Sequence, residues 1–238
     1  MNDVSARPPI AFVVAHPDDI AFSMGGTAWL LKDRYRLHVI CASKGERGYR
    51  YDTPGPKPPC PRTAATRARE EAAACALLGA DLTFLGLTDG ELFAERDVCE
   101  RVAGMLAAIK PVALFTLGPI EKPDHAAISL VARQALYLAD LFWTTELYLP
   151  LRQGETVHLD HQSVYVNISS VVEHKRELIR CHKTQAPDEA AVERVLERNV
   201  LLGKLAWCEY AEAYLTGLPL MATRWNRPAG SILMNVSG

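Results

Sequence analysis

Ile10-Ala11-Phe12-Val13-Val14-Ala15 is an unbroken apolar run that stops abruptly at His16-Pro17-Asp18-Asp19. A run of this length without alternation is the pattern of a strand covered on both faces, as in a parallel sheet. Further strands are expected at 37–42 (LHVICA), 82–87, 112–117 (VALFTL) and 142–149, with a shorter one at 164–168. The stretches between them carry helical periodicity. A short helix is expected over 27–32, and 62–79 places Ala68, Ala72, Cys75 and Ala76 on one face before Gly79 closes it. Val98, Val102, Met105, Leu106 and Ile109 repeat the spacing up to Pro111, and 123–138 opens with proline in its first turn. Further helices are predicted over about 170–182 and 188–214. Strands alternating with amphipathic helices define an α/β fold. The expectation is a Rossmann-like three-layer sandwich with a mainly parallel sheet of order 3-2-1-4-5, an extra C-terminal strand and helices, all in one domain over 1–238.

The chain has 238 residues, 26 Lys+Arg against 28 Asp+Glu, and a formal net charge of −2. Nucleic acid and anionic membranes are normally held by clustered cations, and no basic block is present, so neither is expected as the main partner. No stretch approaches the roughly 20 apolar residues of a membrane span. The N-terminus puts Arg7, Pro8 and Pro9 before a short apolar run, which reads as the lead into a strand and not as a signal peptide. Six scattered cysteines without a C-x-x-C pair fit a reduced, cytoplasmic setting. A homo-oligomer is compatible with the sequence.

Two polar clusters follow buried strands. His16, Asp18 and Asp19 leave the first, where they would be costly as core residues. Lys122-Pro123-Asp124-His125 follows the fourth. With sheet order 3-2-1-4-5 these strands are neighbours, and their carboxyl ends flank the point where strand order reverses, the usual place of a ligand crevice. His16, Asp19 and His125 then converge. Two imidazoles and a carboxylate suit zinc and leave a position for water. Asp18 and Asp19 cannot share one direction, so one carboxylate goes to the metal and its neighbour is left to take a proton. The segment 45–61 holds five prolines and three glycines and is long for a simple connection; Tyr49, Arg50 and Tyr51 suit contact with a ligand. Dinucleotide, P-loop and serine-hydrolase signatures are absent from the sequence.

Ala15-His16-Pro17-Asp18-Asp19 with Gly25-Gly26 resembles the signature of the LmbE-like, N-acetylglucosaminylphosphatidylinositol de-N-acetylase family. Ser43 to Gly48, Arg67-x-x-Glu70 with Leu78-Gly79, Leu87 to Gly90, Pro123-Asp124-His125 and the stretch from Lys175 to Gln185 resemble further family motifs in the family's order. The resemblance covers roughly residues 10–185.

The resemblance implies a zinc-dependent hydrolase, with zinc replaceable by another divalent transition metal. Its substrate would be a small N-acetylated amino sugar or its glycoside, cleaved to a free amine and acetate. His16, Asp19 and His125 would be the metal ligands and Asp18 the general base. Arg67, Asp89 and Ser23 match positions where relatives hold the sugar. Two residues depart from the family pattern: Ile20 stands where the family usually has Glu, and Lys122 where it usually has His. Lys122 could supply charge to a developing oxyanion, and His182 is an alternative acid. The Lys122 departure also raises two other readings, a metal-containing sugar-binding protein without turnover and an amidase acting on a larger N-acyl sugar conjugate.

Overall fold

The computed structural model describes residues 7–48, 57–151, 163–216 and 232–233. The strand β1 (Pro9–Val14) is fully buried from Ile10 onward, as its apolar run requires. It pairs in parallel with β2 (Arg36–Ser43) on one side and β4 (Ala113–Phe115) on the other. Outside these lie β3 (Asp81–Leu87), parallel to β2, and β5 (Glu146–Pro150), parallel to β4. The expected parallel core is therefore present. Strand order reverses between β1 and β4, so a crevice opens beyond their carboxyl ends.

The helices cover both faces. Residues leaving β1 enter α1 (Asp19–Ser23) and α2 (Gly25–Leu31); α3 (Pro61–Leu78), α4 (Arg96–Ile109) and α5 (Pro123–Leu138) connect the next strands. α4 packs on α5, while α2 and α3 pack against α6 (Val172–Cys181). The helix α1 begins within the Asp-Asp pair, at Asp19 with Asp18 as its N-cap, where the sequence suggests a loop before a helix at 27–32. Tyr49, Arg50 and Tyr51 lie outside the described residues.

The C-terminal part departs from the sequence expectation. The predicted helix over 188–214 ends early: α7 spans Glu189–Leu205, and Ala211–Thr216 forms a strand, β7. β7 pairs antiparallel with β5 and with β6 (Ser163–Asn167), giving a seven-stranded sheet of order β3-β2-β1-β4-β5-β7-β6. Glu212, within the stretch where the helix is expected, does not face solvent. It is instead buried at 1% exposure, paired at 2.6 Å with the Lys175 ammonium, itself 0% exposed. Its carboxylate also accepts the backbone N–H groups of Gly26 (3.0 Å) and Thr27 (2.8 Å) and the Tyr214 hydroxyl (3.0 Å). This one buried pair ties α2, α6 and β7 together.

Aromatic contacts extend the core across the sheet. Phe12, Phe115 and Tyr148 are cross-strand neighbours on β1, β4 and β5, stacked at 5.0 and 4.9 Å. Tyr214 of β7 closes on Phe115 edge-on at 5.5 Å. Full burial of each such ring stabilises by about 1.5–3 kcal/mol. Gly26 serves packing too, since a Cβ there would meet Ile168 side-chain atoms at 2.7 Å. The two strand ends that carry the polar clusters are thus held in a rigid frame.

Candidate metal centre and active site

The first cluster is a tight turn between β1 and α1. Asp19 closes it by accepting the N–H groups of Ala15 (3.1 Å) and His16 (2.8 Å) with Oδ2. Asp18 sits at φ 101°, a conformation costly for a residue with a Cβ. Surrounding contacts fix it there. Its N–H donates to Glu71 Oε2 at 3.1 Å, and Arg67 Nη2 donates to Pro17 O at 2.5 Å and to Asp18 Oδ2 at 3.0 Å. Glu71 is buried, and burial pushes its pKa up to about 8.

The second cluster opens α5. Pro123 stands in its first turn, and Asp124 and His125 follow, both buried. Asp124 ties this helix to the loop after β3: Oδ2 accepts Gly90 N–H at 2.6 Å and Oδ1 accepts Leu92 N–H at 3.3 Å. The strand order predicted that the two clusters meet, and they do.

His125 Nδ1 lies 2.5 Å from Glu121 Oε2, and His16 Nε2 lies 3.0 Å from Asp124 Oδ2 and 3.1 Å from Asp89 Oδ1. Each nitrogen faces carboxylates, so each carries the ring proton, and the lone pairs fall on His125 Nε2 and His16 Nδ1. Those two atoms face one another at 3.3 Å, and Asp19 Oδ1 lies 3.3 Å from His125 Nε2. Two imidazole nitrogens and a carboxylate oxygen so close are suited to sharing a cation. Ligand atoms about 2.0–2.1 Å from a tetrahedral zinc stand about 3.3–3.4 Å apart, so the donor set fits a divalent metal of that kind. The ligand atoms of His16, Asp19 and His125 all lie within 4.8 Å of one another. The surrounding negative charge also shows in the titration of His16. Burial opposes its protonation, but Asp124, Asp89 and Asp19 outweigh burial and raise its pKa to about 10, so without a metal His16 holds a second proton, which a metal at Nδ1 would displace.

These ligands line a cleft of about 350 Å³ together with Asp18, Phe22, Arg47, Arg67, Asp89 and Lys122. Gln185 closes one side, donating to Gly48 O at 2.5 Å, while Thr184 donates to Glu70 through its N–H (2.9 Å) and its hydroxyl (2.6 Å). The stretch after α6 is thereby pinned to the loop after β2. Arg67 is only 4% exposed and is engaged with Pro17, Asp18 and Gly45 O (3.2 Å). Asp89 is likewise engaged, through His16 and the Arg47 N–H (2.9 Å). Burial alone would raise its pKa, but the contacts with His16 and Arg47 lower it.

Ser23 and His182 stand apart. Neither lines the cleft; Ser23 is buried at the end of α1, and His182 is buried behind Phe22, whose ring meets it edge-on at 6.1 Å. Burial and the nearby Arg67 charge push the His182 pKa down to about 3. Sequence reasoning missed Glu121 and Glu71, and it gave Asp124, Arg47 and Gln185 no role although each lies in a quoted motif. Only Asp124 carried a readable signal, as an acid beside a ligand histidine.

The His16, Asp19 and His125 donors thus lie together at the switch point of a mainly parallel sheet in an α/β protein. The chain belongs to the family described as PIG-L: GlcNAc-PI de-N-acetylase, which it matches over residues 11–136. It is 26% identical over 234 residues to a 4-oxalmesaconate hydratase of Pseudomonas putida, covering 87% of this chain and 88% of the relative. It is 26% identical over 185 residues to a probable N-acetyl-alpha-D-glucosaminyl L-malate deacetylase of Bacillus cereus, covering 74% and 83%. Its fold is similar to that of the N,N'-diacetylchitobiose deacetylase of Pyrococcus horikoshii, with a TM-score of 0.73, 22% identity, and coverage of 90% of this chain and 85% of that one.

Proposed function

We propose that this chain is a zinc-dependent hydrolase that removes the N-acetyl group from an N-acetylated amino sugar or its glycoside. The observation that carries the reading is the pair of imidazole lone pairs 3.3 Å apart, closed by Asp19 and opening onto a cleft that Asp18 also lines. Family membership and the deacetylase among the relatives agree with it. The reading takes the whole chain as one catalytic domain. That all six cysteines are unpaired supports a reducing, cytoplasmic setting.

His16, Asp19 and His125 would hold the metal, which supplies a water acidic near neutral pH and polarises the acetyl carbonyl. Asp18, oriented by Arg67, takes the proton from the attacking water. A C–O bond forms at the carbonyl carbon, the C–N bond breaks, and the proton taken from water ends on the leaving amine. Lys122 lines the cleft, its ammonium makes no hydrogen bond or ion pair among the described residues, and it offers its charge to the developing oxyanion. His182 is a poor acid here, because with a pKa of about 3 it holds no proton at neutral pH. Arg67 contributes mainly by holding Asp18, while Arg47, Asp89 and Gln185 shape the sugar side of the cleft.

A second reading starts from the hydratase relative, whose match spans 87% of this chain. The same activated water could add to a carbon–carbon double bond of an anionic substrate met by Lys122. One assay separates the two. Zinc-loaded protein is given N-acetyl amino sugars, and acetate and free amine are measured beside water addition to unsaturated carboxylates. Acetate release by the wild type and its loss by at least about a thousandfold in His125→Ala are expected. Undiminished acetate release in His125→Ala, or water addition with no acetate formed, would end the deacetylase reading.

A further inference from the structure

Glu121 is buried beside the proposed metal centre, yet it belongs to no motif that the sequence singled out. Its side chain is 5% exposed and that of His125 is 3% exposed. It lies ahead of α5, two residues before Pro123, so the helix does not place it; its own contacts do. Glu121 Oε1 accepts Gly118 N–H at 3.3 Å, while Oε2 meets His125 Nδ1 at 2.5 Å. A carboxylate buried to this degree is costly unless its oxygens are engaged. Here they are engaged by the turn after β4 and by one ring nitrogen.

We propose that Glu121 is the positioning residue of His125: it holds the ring proton on Nδ1, turns Nε2 toward Asp19 and His16, and so sets the affinity of the centre for its metal. The inference rests on the metal-site reading above. Two features of the geometry carry it. With Nδ1 bound to a carboxylate, only Nε2 can offer a lone pair, and that atom is the one 3.3 Å from both His16 Nδ1 and Asp19 Oδ1. A neighbouring carboxylate also makes an imidazole a more basic ligand than a backbone carbonyl would. His16 has the matching arrangement, with Asp124 and Asp89 on its Nε2. The two histidines would thus offer a metal different ring nitrogens, Nδ1 of His16 and Nε2 of His125, each ring fixed from behind by acid.

The test uses the full chain. Zinc affinity is measured by competition with a chromophoric chelator for wild type, Glu121→Gln, Glu121→Asp and Glu121→Ala, with folding checked by circular dichroism. Glu121→Gln keeps the shape and removes the charge, and is expected to weaken zinc binding by about 10–100-fold. Glu121→Asp is expected to recover part of that loss. Ring 15N spectra of the zinc-free protein give a second readout, expected to show the proton of His125 on Nδ1 in wild type. Zinc binding by Glu121→Gln within twofold of wild type, or wild-type His125 protonated on Nε2 alone, overturns the role of Glu121. Failure of the wild type itself to bind zinc overturns the metal-site reading and this inference with it.

Discussion

Arg67 Nη2 lies 3.0 Å from Asp18 Oδ2 and 2.5 Å from Pro17 O, so one guanidinium nitrogen grips both the side chain and the backbone of the turn that presents the proposed base. The other arm, Nη1, donates to Gly45 O at 3.2 Å and locks the loop after β2 to the same point. A lysine has the charge but not the fork. Arg67→Lys is therefore expected to lower kcat about 10–100-fold, because Asp18 loses its orientation, while zinc content stays at the wild-type value. Acetate-release kinetics alongside metal analysis check this. Loss of zinc in step with activity would mean that Arg67 supports the ligand set instead.

The buried pair of Lys175 and Glu212 gives a stability prediction far from the chemistry. Removing the ammonium leaves Glu212 charged in the core with only Gly26 N–H, Thr27 N–H and the Tyr214 hydroxyl around it. Lys175→Met is expected to cost about 3–5 kcal/mol, read from the urea midpoint. Lys175→Met with Glu212→Gln together is expected to be the more stable of the two variants, since the second change removes the stranded charge.

The parallel core was legible because β1 is apolar without interruption and β2 nearly so, broken inside only by His38, a pattern that does not depend on distant partners. The meeting of His16, Asp19 and His125 followed from strand order alone. What sequence could not show was engagement between residues far apart in the chain. Glu212 is buried by pairing with Lys175, 37 positions away, a partnership no local pattern shows, and the predicted helix over 188–214 runs on into β7. Arg67 and Asp89 are expected as sugar contacts because they match family positions; both line the cleft, yet their polar groups are engaged by Asp18 and His16, which only the folded chain brings to them. Glu121 carried no signal: its spacing of four to His125 crosses Pro123 and a helix boundary.

His182 makes acid sensitivity predictable in sign. An unfolded histidine titrates near 6.5, whereas burial first, and the Arg67 charge second, hold folded His182 near 3. Between these values the unfolded chain binds a proton that the folded chain refuses. The share of stability due to neutral His182 is whole above pH 6.5 and is lost as pH falls toward 3. Among the described residues neither ring nitrogen has a hydrogen-bond partner, and Glu71 Oε2 is 3.7 Å from Nε2. His182→Phe should therefore lose stability less steeply than wild type between pH 6.5 and 4.5, by up to about 1.4 kcal/mol per pH unit. Parallel urea midpoints across that window would refute the assignment.

Lys122 offers the sharpest separation of chemistry from structure. It caps α5 without a side-chain capping bond, and the metal-ligand set does not include it, so its replacement leaves the ligands in place. If its charge meets the oxyanion, Lys122→Met lowers kcat by about 100–1,000-fold with zinc affinity unchanged, the usual cost of one lost oxyanion donor. Lys122→His restores the residue usual in the family and is expected to keep more activity than the methionine variant. An imidazole loses its charge near neutral pH, so Lys122→His should decline as pH rises through that region, a limb the wild type lacks. Rates for the three proteins from pH 6 to 9 decide the matter: equal kcat in wild type and Lys122→Met would remove Lys122 from the reaction and leave oxyanion stabilisation to the metal.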